Sequence, residues 1–203
     1  MKLYYKAGTC SLAARIAIEE WGGAYEAESV DLKTKLTDSG SNYLDVNGKG
    51  YVPALVLDDG TILTENAAML VYISNNKLKH NYHIGDKDLF PYKMIEWLTY
   101  IGTELHKQFG VFRNPTADEN WKAHALKTLE RRLSYIEEHL KGKSFLIGDG
   151  FTVADCYFFT VLTWTNFIKL DLNKWPLILK YYKRLEQRPS VISALKKEST
   201  IPK

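Results

Sequence analysis

Two cysteines, Cys10 and Cys156, are all that the 203 residues contain. They lie far apart in unlike surroundings, so a disulfide framework is not expected and each thiol is read alone. Ala13 stands where a Cys-x-x-Cys pair opened by Cys10 would place its second thiol. A dithiol reductase needs such a resolving thiol, and that mechanism is disfavoured. No apolar run approaches the roughly 20 residues that cross a bilayer. No signal peptide precedes the strand-like Met1-Lys2-Leu3-Tyr4-Tyr5, and the expectation is a cytoplasmic protein without membrane contact. A phosphate loop is missing too, since Gly48-Lys49-Gly50 is short and leads into a strand. The five histidines are scattered without metal-ligand spacing, and no metal is expected. Nor does one sign of charge prevail. Residues 1–80 hold 8 Lys/Arg against 10 Asp/Glu, residues 81–203 hold 19 against 14, and the signs are interspersed. Nothing in that pattern asks for nucleic acid.

What the chain does have is a 45% hydrophobic share, enough for one large core or two small ones. Lys2 to Tyr5 reads as a strand and Ala7-Gly8-Thr9 as a tight loop. Ser11 to Trp21 follows with Leu12, Ile16 and Ile18 at helical spacing, stopped by Gly22-Gly23. Tyr25 to Val30 is a second strand, and the polar run Asp31 to Asn47 a loop with a short helix. Pro53 lacks an amide proton and holds Val52 extended, so the pair opens a strand that runs through the apolar Ala54 to Leu57. Asp58-Asp59-Gly60 supplies a turn, Thr61-Ile62-Leu63 returns, and Thr64-Glu65-Asn66 places cap-type residues before a helical run from Ala67. This order predicts a small mixed sheet flanked by helices.

Beyond a polar, aperiodic stretch from Asn76 to Lys87 nothing reads as strand. Helical patterns cover 89–109, 117–140, 153–169, 177–187 and 191–196. The expected division is one domain over 1–78, a linker over 79–87 and an all-helical domain over 88–203. Thr116-Ala117-Asp118-Glu119 and Thr152-Val153-Ala154-Asp155 both read as capping boxes, with Asp155 in place of the longer Glu or Gln. The helix after Thr152 is apolar nearly all round, which suits the centre of a bundle. Structural work is therefore expected of Thr152 and Asp155, and core packing of Cys156.

Candidate chemistry gathers around two places. Cys10 sits where a strand and a glycine loop deliver the chain to a helix start, a position that favours thiolate; the plainer alternative is a small apolar thiol. The backbone of the Val52-Pro53 turn can grip an extended peptide by strand-like pairing. The amides opening the helix at Asn66 suit a ligand carboxylate and Glu65 a ligand ammonium. Lys35 and His106, taken alone, read as an ordinary loop charge and an ordinary helical histidine.

Together these pieces resemble the cytosolic glutathione transferases. Gly8-Thr9-Cys10-Ser11-Leu12-Ala13, Asn47-Gly48-Lys49-Gly50-Tyr51-Val52-Pro53-Ala54-Leu55, Glu96-Trp97-Leu98, Thr103-Glu104-Leu105-His106-Lys107 and Phe151-Thr152-Val153-Ala154-Asp155 with Trp164 look like the bacterial beta class. The resemblance covers essentially the whole chain. It implies a thioredoxin-like α/β N-terminal domain, an all-α C-terminal bundle, a homodimer and a cis Val52-Pro53 bond. It implies glutathione as co-substrate and a small hydrophobic electrophile as acceptor, bound between the domains. Carried over by residue, Cys10 faces the glutathione sulfur and His106 hydrogen-bonds near it. Val52 and Pro53 present the peptide edge, Glu65 and Asn66 hold the γ-glutamyl end, and Lys35 reaches the glycyl carboxylate. Thr103, Glu104, Leu105 and His106 line the cleft from the helical side, with Thr99 on the same helix. Three positions depart from the family: Ala7 replaces the usual proline, Asn66 a serine or glycine, and Thr99 an asparagine.

The implied reaction directs a glutathione thiolate at an electrophilic carbon or a disulfide. Lowering a thiol pKa of about 8.5 by two units takes roughly 2.7 kcal/mol, and a helix N-terminus contributes only about 0.3–1 kcal/mol. Hydrogen bonds from His106, Cys10 or nearby backbone must supply the rest, unless Cys10 itself forms a mixed disulfide with glutathione. The rival from another class is a transferase-like protein that binds partners and catalyses little.

Overall fold

The computed structural model describes residues 1–77 and 89–199. The linker expected over 79–87 lies outside the described residues. Two compact units emerge, Met1–His80 with Gln187–Lys203, and Asn81–Glu186.

The first unit is built on a four-stranded sheet in the order β2-β1-β3-β4. Strand β1 (Lys2–Tyr5) lies second, parallel to β2 (Glu26–Ser29) and antiparallel to β3 (Ala54–Val56), which pairs antiparallel with β4 (Ile62–Thr64). The β1–β2 pairing is parallel because helix α1 (Ser11–Trp21) intervenes, whereas β3 and β4 need only the Asp58-Asp59-Gly60 turn. Helix α1 ends where Gly22 turns left-handed at φ 73° and its amide meets the carbonyls of Ile18 and Glu19. Residues 11–18 of α1 are all buried. Their burial exceeds one amphipathic face because α1 packs on β1, on α2 (Asn66–Asn76) and on α9 (Pro189–Ser199). The sequence places α9 with the helical domain; its packing partner is α1 of the first unit. Arg188 Nε bonds Glu20 at 2.8 Å, Lys197 pairs with Glu19 at 2.6 Å, and the Ser193 hydroxyl bonds the other oxygen of Glu19 at 2.7 Å.

The second unit is helical among its described residues. Its first periodic stretch, read as a single helix over 89–109, divides into α3 (Phe90–Tyr100), a π-helical turn (Ile101–His106) and α4 (Lys107–Val111). Helix α5 (Glu119–His139) follows, then α6 (Val153–Thr163), α7 (Thr165–Ile168) and α8 (Pro176–Glu186). The expected box at Thr116 does not form. Asp118 is the cap instead, extended at ψ 172° and accepting the Trp121 amide at 2.7 Å, while the Thr116 hydroxyl turns to Asn114. Aspartate two residues further on reaches the third helical amide as well as threonine does, so the helix begins later.

The second box does form, and it is buried. Asp155 Oδ2 accepts the Thr152 amide and hydroxyl at 2.8 Å each, while Oδ1 accepts the Leu146 amide at 3.0 Å and the Tyr181 hydroxyl at 2.7 Å. One carboxylate thus ties α6 to α8 and to the loop before α6. No described helix is long and apolar enough to cross a membrane.

Candidate active site

The register of the sheet collects the candidate segments at one end. Tyr4 faces Ala54 and Ala54 faces Thr64, so the end of β1, the start of β3 and the end of β4 coincide. From that end run the loop to Cys10, the Val52–Pro53 pair and the Glu65–Asn66 helix start.

The loop is held by side chains. Gly8 turns left-handed at φ 74°, and its amide donates to Glu198 Oε2 at 3.0 Å. Thr9 and Ser11 hydroxyls both reach the Lys6 carbonyl, at 2.8 and 3.0 Å. These contacts brace the loop on either side of Ala7. Glu198 is 190 positions from Gly8, and no local signal in the sequence marks it. Its partner Arg15 is buried, with Nε 3.9 Å from Glu198 Oε1 and the guanidinium 3.9 Å over the Tyr5 ring. Burial pushes the Glu198 carboxyl above its usual range, against the pull of Gly8 and Arg15.

Cys10 caps α1 in a helical backbone conformation and is half-buried. Its thiol donates to the Val52 carbonyl at 3.4 Å, which joins the loop to the peptide edge. The Val52–Pro53 bond is cis. Just upstream, the Tyr51 carbonyl accepts from the Tyr43 hydroxyl and the Asn47 amide, both at 2.7 Å. Lys35, left-handed at φ 62°, donates its ammonium to the Gly50 carbonyl at 2.9 Å. It therefore stands as a cation beside the same edge.

The helix start departs from a simple cap. Glu65 has φ 70° and makes no capping bond; its carboxylate reaches out to Lys49 at 2.6 Å. Asn66 is buried at 8% exposure, and neither its Oδ1 nor its Nδ2 has a partner among the described residues. A buried amide with both ends unmet costs free energy that a ligand can return.

His106 belongs to the second unit. It closes the π-helical turn, the kind of helix irregularity that often marks functional positions. Its Nδ1 lies 2.7 Å from the Tyr157 hydroxyl and its ring packs edge-on against Trp164 at 4.8 Å. Burial first, then the positive Lys107 and Arg113, push its pKa down to about 4. Of its neighbours on the turn, Thr103 is exposed and donates to the Thr99 carbonyl, and Glu104 is paired with Arg132 at 2.5 Å. Leu105 is fully buried in the core of its own unit. Thr99 is itself exposed.

This depression has a measurable consequence. A folded-state value near 4 against about 6.5 unfolded means that His106 contributes stability above pH 6.5 and loses it as pH falls towards 4. The contribution is about 3 kcal/mol. Urea unfolding at pH 7 and pH 4.5 should show a smaller loss in His106→Gln than in the unmodified protein. Equal losses in both would contradict a half-buried neutral imidazole.

Residues 7–76 match the family model of the glutathione S-transferase N-terminal domain, and residues 83–189 that of the C-terminal domain. Glutathione S-transferase GstA of Escherichia coli O157:H7 is 42% identical over 198 residues, 98% of each chain. A sphingomonad glutathione S-transferase solved in complex with glutathione superposes with a TM-score of 0.91 at 35% identity, covering 99% of this chain and all of that one. The bacterial beta-class enzyme of Sphingomonas chungbukensis gives 0.90 at 37% identity, with the same coverage.

Proposed function

Since the chain belongs to the glutathione S-transferase family, we propose that it conjugates reduced glutathione to small hydrophobic electrophiles, with Cys10 and His106 as its catalytic side chains. The observation that carries this reading is Asn66. Its two unmet polar atoms are buried at the opening of α2, beside a carboxylate, where an α-amino-acid end group would satisfy both. Glu65 then takes the ammonium in exchange for Lys49, the Val52 edge pairs with the peptide, and Lys35 takes the far carboxylate. The peptide thiol comes to lie towards Cys10. On the same reading His106, uncharged at neutral pH, can offer a hydrogen bond but no positive charge. A homodimer belongs to the same reading.

A second chemistry is favoured by the half-buried Cys10 thiol on that edge. As a thiolate it attacks a disulfide of oxidised glutathione, forms a mixed disulfide and releases one glutathione thiolate. Intact mass of the purified protein, before and after reductant, tests ligand and attachment point together. The expected result is a glutathione-sized adduct that reductant removes and that Cys10→Ala never forms. An adduct on Cys156, or none after incubation with oxidised glutathione, defeats the thiol-transfer chemistry. Failure both to turn over a chloronitroaromatic acceptor and to be retained on glutathione resin would favour a binding protein over an enzyme.

A further inference from the structure

A neutral imidazole carries one proton, and which nitrogen holds it decides whether the other can donate or only accept. His106 and His139 show two different settings of that choice. At His139 the Nε2 atom lies 2.9 Å from the Leu146 carbonyl, which can only accept, so Nε2 must carry the proton. At His106 the partner is the Tyr157 hydroxyl, which can do either. Two features favour the phenol as donor. The 2.7 Å separation is the length of a hydroxyl-donated bond and shorter than the 2.9–3.0 Å common for a ring N–H to oxygen. A phenol is also a much stronger acid than a neutral imidazole N–H, so it is the better donor of the two.

We propose that Tyr157 is a positioning residue: its hydroxyl donates to Nδ1 of His106 and thereby fixes the tautomer in which Nε2–H is the donor. The geometry around the pair holds it in one orientation. Tyr157 is buried on α6 and its ring stands perpendicular to the imidazole, with centroids 6.0 Å apart. Trp164 closes another side of the ring, itself packed against Phe109 at 5.8 Å. Gly102, one turn before His106, faces the hydroxyl, and an added Cβ there would meet it at 3.6 Å, an ordinary van der Waals contact. The charged groups acting on the imidazole, Lys107 and Arg113, are both positive and discourage a second proton. Nε2–H is then the ring's donor for a thiolate or a developing negative charge, a role that rests on His106 taking part in the reaction.

Histidine nitrogen NMR of the uniformly labelled protein at pH 7 reads the tautomer directly, and Tyr157→Phe keeps the ring while removing the hydroxyl. The expected result is a protonated Nε2 and bare Nδ1 at His106, giving way to a tautomer mixture in Tyr157→Phe. The turnover number of the variant should fall about tenfold with the KM for glutathione within about twofold. A protonated Nδ1 in the unmodified protein overturns the proposal, as does an unchanged tautomer in the variant. A tautomer change with unaltered turnover leaves the assignment standing and removes His106 from the reaction.

Discussion

Replacing Asn66 with leucine is expected to make the unliganded protein more stable and, at once, a poor binder of glutathione. Both amide atoms of Asn66 are buried and unmet among the described residues, so the folded chain carries their desolvation without return. Removing them should raise the unfolding free energy by about 1–2 kcal/mol. A hydrogen bond to a charged ligand group is worth about 1.5–3 kcal/mol, so the loss of both should weaken glutathione by at least about 100-fold. Urea unfolding without ligand and titration calorimetry with it give the two numbers independently. The opposite signs are what matter. A variant that is less stable and binds normally would show that Asn66 serves the fold, and would take the γ-glutamyl site elsewhere.

Asp155→Ala should be the most damaging single change in the helical unit. Its carboxylate is fully buried and accepts from Leu146, Thr152 twice and Tyr181. Truncation strands the Leu146 and Thr152 amides and the tyrosine hydroxyl where water does not reach, at a cost of about 4 kcal/mol. Tyr181→Phe removes one donor and leaves three, so about 1 kcal/mol is expected. Asp118→Ala is the control. It removes an N-cap of the same chemistry from α5, but that cap is exposed, water replaces the lost bond, and about 1 kcal/mol is expected again. Equal effects of Asp155→Ala and Asp118→Ala in denaturant titrations would refute the idea that burial sets the difference.

Much of this was legible in local residue order. The strand at Lys2, the helix from Ser11 to Gly22, the hairpin about Gly60 and the box at Thr152 each rest on neighbours fewer than a dozen positions apart. Where two local signals competed the choice was harder. Thr116 and Asp118 are both good caps, and only the extended backbone at Asp118 selects between them. The π-helical turn at Ile101–His106 has no signature in spacing, since its apolar residues fit an ordinary helix equally well. Leu105 shares a motif with His106 yet turns into the core, because successive helical positions face different sides.

Residue order by itself determined the element types, the two-part plan, the scarcity of thiols and the presence of a cysteine at a helix start. Those follow from propensity, periodicity and turn chemistry, all of which act over a few residues. Tertiary structure alone decided that α9 packs on α1, that Glu198 secures Gly8, that Asn66 is buried unmet and that Tyr157 meets His106. The reason is geometric. Burial and pairing between residues 50 to 190 positions apart depend on how faces are brought together, and no short window of sequence records which faces meet.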